Sequence, residues 1–262
     1  MICREREHSF IMIRQHDHAR LSGEFSRHMD SGPTRDTKRW DEVLLGCEQH
    51  DRGWIPLDQI PVWNDAEEKP FTFMNFPEPA KLVFYRYGIS QLEEMSAYGA
   101  LLASLHYTAL VSHYGEEDPF CQAFLQEEKE RQERIREQLS PADDELAYHR
   151  SVLELCDDLS LYACLNDPGV NKSEEQDWWK DGFAVGKKLD VTNHQTIMPE
   201  WTEPGMITLS PFPFREPVEV QLIYREVSKE KIQQSGLAEA YEAAEEQQLT
   251  ITFQAAQANE LQ

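Results

Sequence analysis

An apolar run, Leu44-Leu45-Gly46-Cys47, leads through Glu48 and Gln49 into an adjacent His50-Asp51 pair, followed by Arg52, Gly53 and Trp54. An imidazole beside a carboxylate is a dense ligand pair for a borderline divalent cation, Zn, Mn or Fe. Neighbours on a helix project about 100° apart. The pair can therefore clasp one ion only at a helix end or with both side chains rotated inward. Gly53 is placed to be the residue just past that end. A surface ion pair at a helix terminus would read the same way, so the chemistry depends on further ligands elsewhere in the chain.

Such ligands are present. His18 lies on one helical face with Leu21, Ser22, Phe25 and Met29, and His106 sits in the apolar stripe of Leu101, Leu102, Leu105, Ala109 and Leu110. Asp157 shares a face with Leu153, Cys156 and Ser160, whereas Asp158 lies beside Leu155, Leu159 and Tyr162. A charged group on a packed stripe is costly unless paired or metal-bound, so at least one of the two aspartates is expected to be buried with a partner. His16 points away from the face of His18 and reads as a surface group or a donor to substrate. Arg20, Arg52 and Arg86 are candidates to hold a substrate anion. Asp58 and Glu48 could assist as bases, although no spacing singles them out. His113 follows His106 at about 10 Å along the axis. That is too far to share one ion, and it is expected to line the pocket.

The elements that must position these groups follow from the hydrophobic period. Residues 1–15 read as two short strands, and the 3.6-residue period from Asp17, a plausible N-cap, to Met29 predicts a helix ended by Asp30-Ser31-Gly32-Pro33. A second helix is predicted over 38–51. Residues 52–81 are punctuated by prolines and carry Trp54, Trp63, Phe71, Phe73 and Phe76; they form either a lid or a segment wrapped on the core by its aromatics. Helices are predicted from about Gln91 to Tyr114, from Pro119 through a charged continuation to Gln138, and from the Ser140-Pro141-Ala142-Asp143 cap to about Leu165. Small residues at 97, 99, 100, 103 and 104 suit close helix contact. Beyond Gly169, Trp178-Trp179, Phe183–Val185, Val218–Tyr224 and Leu249–Phe253 read as strands, with a helix at about 229–246.

The 262 residues carry 48 acidic against 25 basic side chains, a net charge of −23, without a basic patch. A polynucleotide partner is therefore not expected. No run of eighteen apolar residues is present, so no membrane span is expected, and the N-terminus lacks the apolar core of a secretory signal. Five scattered cysteines without CxxC spacing suit reduced thiols in the cytoplasm, with Cys47 and Cys156 as buried packing residues. No cysteine has an evident His partner, and no GxxxxGK[ST] loop exists, which disfavours a thiol enzyme and an NTPase.

The order His…His-Asp…Asp on successive helices resembles the HD-domain superfamily of metal-dependent phosphohydrolases, over residues 18 to about 165. The likeness rests on Leu44-Leu45 leading to His50-Asp51-Arg52-Gly53, close to an apolar-His-Asp-x-Gly signature. It also rests on Cys156-Asp157-Asp158-Leu159-Ser160, close to Ala-Asp-x-Leu-Ser. The whole chain is also similar to a bacterial family known only as domain of unknown function 3891, through Gln15–Leu21, Gln49–Trp54 and Leu209-Ser210-Pro211-Phe212-Pro213-Phe214; that likeness implies no activity. The superfamily resemblance implies that His18, His50, Asp51 and Asp157 ligate metal, with His16 against His18 and Asp158 against Asp157 left open. His106 stands where two-metal members supply extra histidines. One or two divalent ions would then be bound, with His50 and Asp51 as the catalytic pair. Trp54 replaces a lysine that often follows the glycine.

The expected fold is mainly α, an HD-domain-like helical bundle with a small antiparallel β-sheet built from both terminal segments. It forms a single domain over 1–262, with a helical body at about 16–168 and a sheet at about 1–15 plus 170–262. The expected activity is hydrolysis of a small phosphorylated metabolite or nucleotide, with a small anionic metabolite as partner. A non-catalytic ligand-binding protein and a di-iron oxygenase are the alternatives on the same scaffold. Homo-oligomerisation is left open.

Overall fold

The computed structural model describes residues 1–29, 37–115 and 117–257. A hairpin of β1 (Ile2–Glu5) and β2 (Ser9–Ile13) leads into α1 (Gln15–His28). Arg14, not Asp17, is the N-cap residue; Asp17 sits in the first turn and accepts a hydrogen bond from Arg14 Nε, where its charge also suits the helix dipole. The turn expected at Asp30–Pro33 lies outside the described residues. Then come α2 (Thr37–Gln49), a 3₁₀ turn (Arg52–Trp54), α3 (Ile55–Gln59) and a short hairpin of β3 (Trp63–Asn64) with β4 (Lys69–Pro70). Four long helices follow: α4 (Glu78–Met95), α5 (Ala97–Tyr114), α6 (Pro119–Leu139) and α7 (Asp143–Leu165).

The second half corrects the expected fold. A six-stranded curled sheet runs in the order β1-β2-β7-β8-β6-β5, built with β5 (Met198–Glu203), β6 (Met206–Ser210), β7 (Val218–Ser228) and β8 (Glu246–Ala255). It is mixed, because β6 and β8 run parallel while the other pairs are antiparallel. Although 57% of the described residues are helical, this is not a mainly-α bundle carrying a small antiparallel sheet, and it is not all-α. The reason lies in burial. β2 is buried at every position: Ile13 joins the core shared with α1 and α7, while Phe10 and Met12 face α8 (Lys229–Ser235) and α9 (Leu237–Ala243). A strand covered on both faces belongs to a large sheet. β7 alternates inward Val218, Val220 and Leu222 with outward Glu219 and Gln221, as period two requires.

Other differences are local. The helix expected from 91 to 114 is two helices, broken at Ser96, whose extended backbone and side-chain oxygen cap α5 by accepting from Gly99 N–H. Trp178-Trp179 lies in a 3₁₀ turn, and Phe183 makes only an isolated bridge to Ile197. Residues 52–81 are wrapped on the core by their aromatics: Trp54 is 2% exposed and packs edge-on against Phe76 and Tyr85.

Two close crossings set the helices around the His-Asp pair. On α5, Gly99 faces Gly46 of α2, where an added Cβ would come within 3.3–3.4 Å of backbone atoms. Gly53 faces Gly88 of α4, where a Cβ on Gly53 would lie 2.1 Å from the Phe84 carbonyl oxygen. Gly53 is therefore required for close approach of two backbones and not as a helix-ending residue.

Candidate metal centre

α2 ends at Gln49, so His50 and Asp51 occupy the turn before Arg52–Trp54, and Asp51 has left the helical region at φ −94°, ψ 18°. Both side chains can therefore turn to one side. His18 reaches the same place from α1, His106 from α5 and Asp157 from α7. His18 Nε2 is 2.8 Å from Asp51 Oδ2 and 3.7 Å from Asp157 Oδ1. His50 Nε2 is 3.2 Å from Asp157 Oδ1 and 4.0 Å from Asp51 Oδ2, and His106 Nε2 is 3.6 Å from Asp157 Oδ2. Ligand atoms of His18, His50 and Asp157 all lie within 4.8 Å of one another. Nitrogen and oxygen donors about 2.0–2.2 Å from one ion stand roughly 3–4 Å apart, and this donor set has that spacing.

The supporting groups orient the rings. His50 Nδ1 is 2.8 Å from the Cys47 carbonyl oxygen, to which it donates, leaving Nε2 to face the carboxylates. His18 Nδ1 lies 2.8 Å from Ser160 Oγ, itself 2.9 Å from Ser22 Oγ. Tyr107 donates its hydroxyl to Asp51 Oδ1. Groups of this kind fix tautomer and direction in metal sites. Sequence reasoning missed Tyr107, Ser22 and a role for Ser160. The available signals were the spacing of Ser22 four residues after His18 and of Ser160 three residues after Asp157, each about one helical turn.

Burial opposes charge on His50, Asp51, His106 and Asp157, and the pairs override it in part. The Asp51 and Asp157 carboxylates together push His50 up to about 9. His50 and His18, with the Tyr107 hydroxyl, hold Asp51 well below the usual carboxylate range, and His50 and His106 hold Asp157 down. For His106 burial outweighs Asp157, and its pKa falls. A histidine raised above its unfolded value contributes stability that is complete below that value and is lost as pH passes the folded one. Metal-stripped protein is therefore expected to lose stability as pH rises from about 6.5 to about 9, read as a falling denaturant midpoint. A midpoint that is level or rising across that window contradicts the ion pairing.

The remaining sequence candidates separate. Asp158 accepts a 2.9 Å bond from Trp179 Nε1 and is pushed up to about 7 by burial; of the two aspartates, Asp157 is the one facing the histidines. His16 is half-buried, with its backbone N–H 3.0 Å from Asp58 Oδ2 and no hydrogen-bond partner for Nδ1 among the described residues. Burial lowers it to about 4 against the pull of Asp51 and Asp58. Arg52 donates to Gln49 Oε1 at 2.8 Å and to Gln91 Oε1 at 3.1 Å, both uncharged acceptors. Arg20 is exposed and lines a groove of about 290 Å³ with Asp17, Glu24 and Glu219. Arg86 is tied to Glu127 and lies over the Phe124 ring, bridging α4 and α6. His113 is exposed near the end of α5. Asp58 is buried against the His16 backbone, and Glu48 pairs with Arg27 at 2.6 Å. Cys47 and Cys156 are fully buried, as their apolar settings suggested, and all five cysteines are free. Among the described residues no helix is long and apolar enough to cross a membrane.

Residues 1–229 match a family model described as a protein of unknown function (DUF3891), and the chain belongs to that family. No curated protein and no solved structure matches the chain significantly.

Proposed function

We propose that this member of the DUF3891 family is a metal-dependent hydrolase acting on a small phosphorylated metabolite or nucleotide. The observation that carries the proposal is the meeting of His18, His50, Asp51, His106 and Asp157, drawn from separate helices, with mutual spacings suited to one or two divalent ions, Mn, Fe or Zn. The order of these ligands also supports a likeness to the HD-domain phosphohydrolases, and with it a bacterial, cytoplasmic setting. His18, His50, Asp51 and Asp157 would hold one ion, and His106 would extend the set toward a second. A divalent ion bound there supplies a hydroxide near neutral pH and polarises a phosphoryl oxygen.

The chain's own residues do the rest. The Cys47 carbonyl and Ser160 keep both Nε2 atoms pointed inward. Tyr107 steadies Asp51. Arg52 is held by two neutral amides, so its charge stays available to a phosphate. His16, neutral at physiological pH, lies close enough to feel the charges of both Asp51 and Arg52 and can donate a hydrogen bond from its ring N–H to a substrate oxygen. Arg20, at the exposed end of the same helix face, attracts the substrate anion.

Protein purified without chelator is expected to contain at least one transition metal per chain and to release phosphate from small monoesters or nucleotides. A preparation that neither carries metal nor binds added Mn or Zn overturns the proposal. Iron accompanied by oxygen consumption would redirect it to the di-iron oxygenase.

A further inference from the structure

A second cluster of polar groups lies two turns earlier on α7, about 12 Å along the axis from Asp157. His149 is 1% exposed, and its Nε2 has no hydrogen-bond partner among the described residues. Its Nδ1 is 2.8 Å from the hydroxyl of Tyr98 on α5. Burial keeps the Tyr98 proton on its oxygen, and burial together with Arg39 keeps the imidazole neutral, down to about 4. A neutral ring that accepts at Nδ1 carries its proton on Nε2. With Tyr98 as the donor of that bond, Nε2 is a buried N–H without an acceptor among the described residues, an uncommon and costly arrangement.

Arg39 of α2 completes the cluster. Its guanidinium carbon sits 4.3 Å above the Tyr98 ring, and its Nη1 is likewise buried without a partner among the described residues. Glu42 pairs with Arg39 Nε at 4.0 Å and accepts from Ser96 Oγ at 3.0 Å, and it leaves Nη1 without a hydrogen-bond partner among the described residues. Trp40, 5.7 Å from the His149 ring, and Tyr148, 5.9 Å from it, supply aromatic walls. Arg39 is 17% exposed, which places the donors just beneath the surface.

From these two unsatisfied donors we infer that Arg39 and His149 form a second binding site for a small oxyanion, a phosphate or a carboxylate, separate from the candidate metal centre. The guanidinium supplies charge and a planar pair of donors, and the imidazole N–H supplies direction. The site depends on neither bound metal nor catalysis.

The test is calorimetric titration of metal-stripped protein, first with inorganic phosphate and then with acetate. Saturation by either at one site per chain is expected, and the one that saturates identifies the oxyanion. Arg39→Gln and His149→Leu should each weaken it at least tenfold, with folding checked by circular dichroism. Because His149 is deeply buried, Arg39→Gln decides if the His149 variant does not fold. Saturation by neither anion, or equal affinity in wild type and Arg39→Gln, overturns the inference.

Discussion

Replacing His50 with alanine is expected to cost the protein its bound metal, with affinity falling by at least the ~10–100-fold that loss of an outer-shell partner alone produces. His50 stands between the two carboxylates, 3.2 Å from Asp157 and 4.0 Å from Asp51, so its removal opens the set at the centre and not at the rim. The metal-free variant is also expected to be less stable, since two buried carboxylates lose their shared cationic partner. Elemental analysis of wild type and variant, purified side by side without chelator, reads the metal-to-protein ratio on folded material. Equal ratios would show that the ion is held elsewhere. His106→Ala sharpens the result. Of the two carboxylates His106 pairs with Asp157 Oδ2 at 3.6 Å, with its ring edge-on to His50, and it is 19% exposed, so its loss should remove one ion from a two-ion centre and leave the other.

A large loss of stability is expected from Gly88→Ala. A Cβ there would lie 2.4 Å from the Gly53 nitrogen and 2.7 Å from its α-carbon. Neither is the yielding end of a side chain; α4 and the Arg52–Trp54 turn must move apart. Overpacking of a well-packed site costs about 1–3 kcal/mol, occasionally more, and with only backbone to displace the upper end applies. In a chain of this size that corresponds to a fall in melting temperature of about 6–12 °C. Gly205→Ala, whose Cβ would approach Thr250 O at 3.3 Å, is the control and should stay within about 0.5 kcal/mol. Similar melting temperatures for the two variants would mean that the Gly53–Gly88 contact is not tight. Because the displaced turn follows Asp51 directly, Gly88→Ala should also weaken metal binding.

The candidate centre was legible because polar residues on apolar helical stripes have few reasons to be there. His18, His106 and Asp157 stand out against Leu21, Leu105 and Leu153 by that logic alone, and His50-Asp51 by adjacency. What the period cannot give is the outer layer. Tyr107 looks like an ordinary core aromatic beside His106, and Arg39 and His149 carry no pattern at all until α2, α5 and α7 are packed. The fold was legible where one face repeats, as in α1, α6, α7 and β7. It was missed where patterns are short or interrupted. Pro199 obscures the alternation of β5, and β6 has only five residues. The first turn of α4 was merged with the aromatic segment at 52–81, and residues 82–90 were given no element, because Pro77 and Pro79 suggested irregular chain although the latter falls in the helix's first turn, where proline is tolerated. The parallel pairing of β6 with β8 is non-local, and no local signal announces it.

The seam between β2 and β7 joins Ser9 to Ser228 and Met12 to Arg225, and α1 packs its inner face against β7. During synthesis, then, the helix bearing His18 leaves the ribosome with one flank bare, and that flank stays open to water until β7, some two hundred residues later, has emerged. The first candidate ligand to be made is among the last to be fixed.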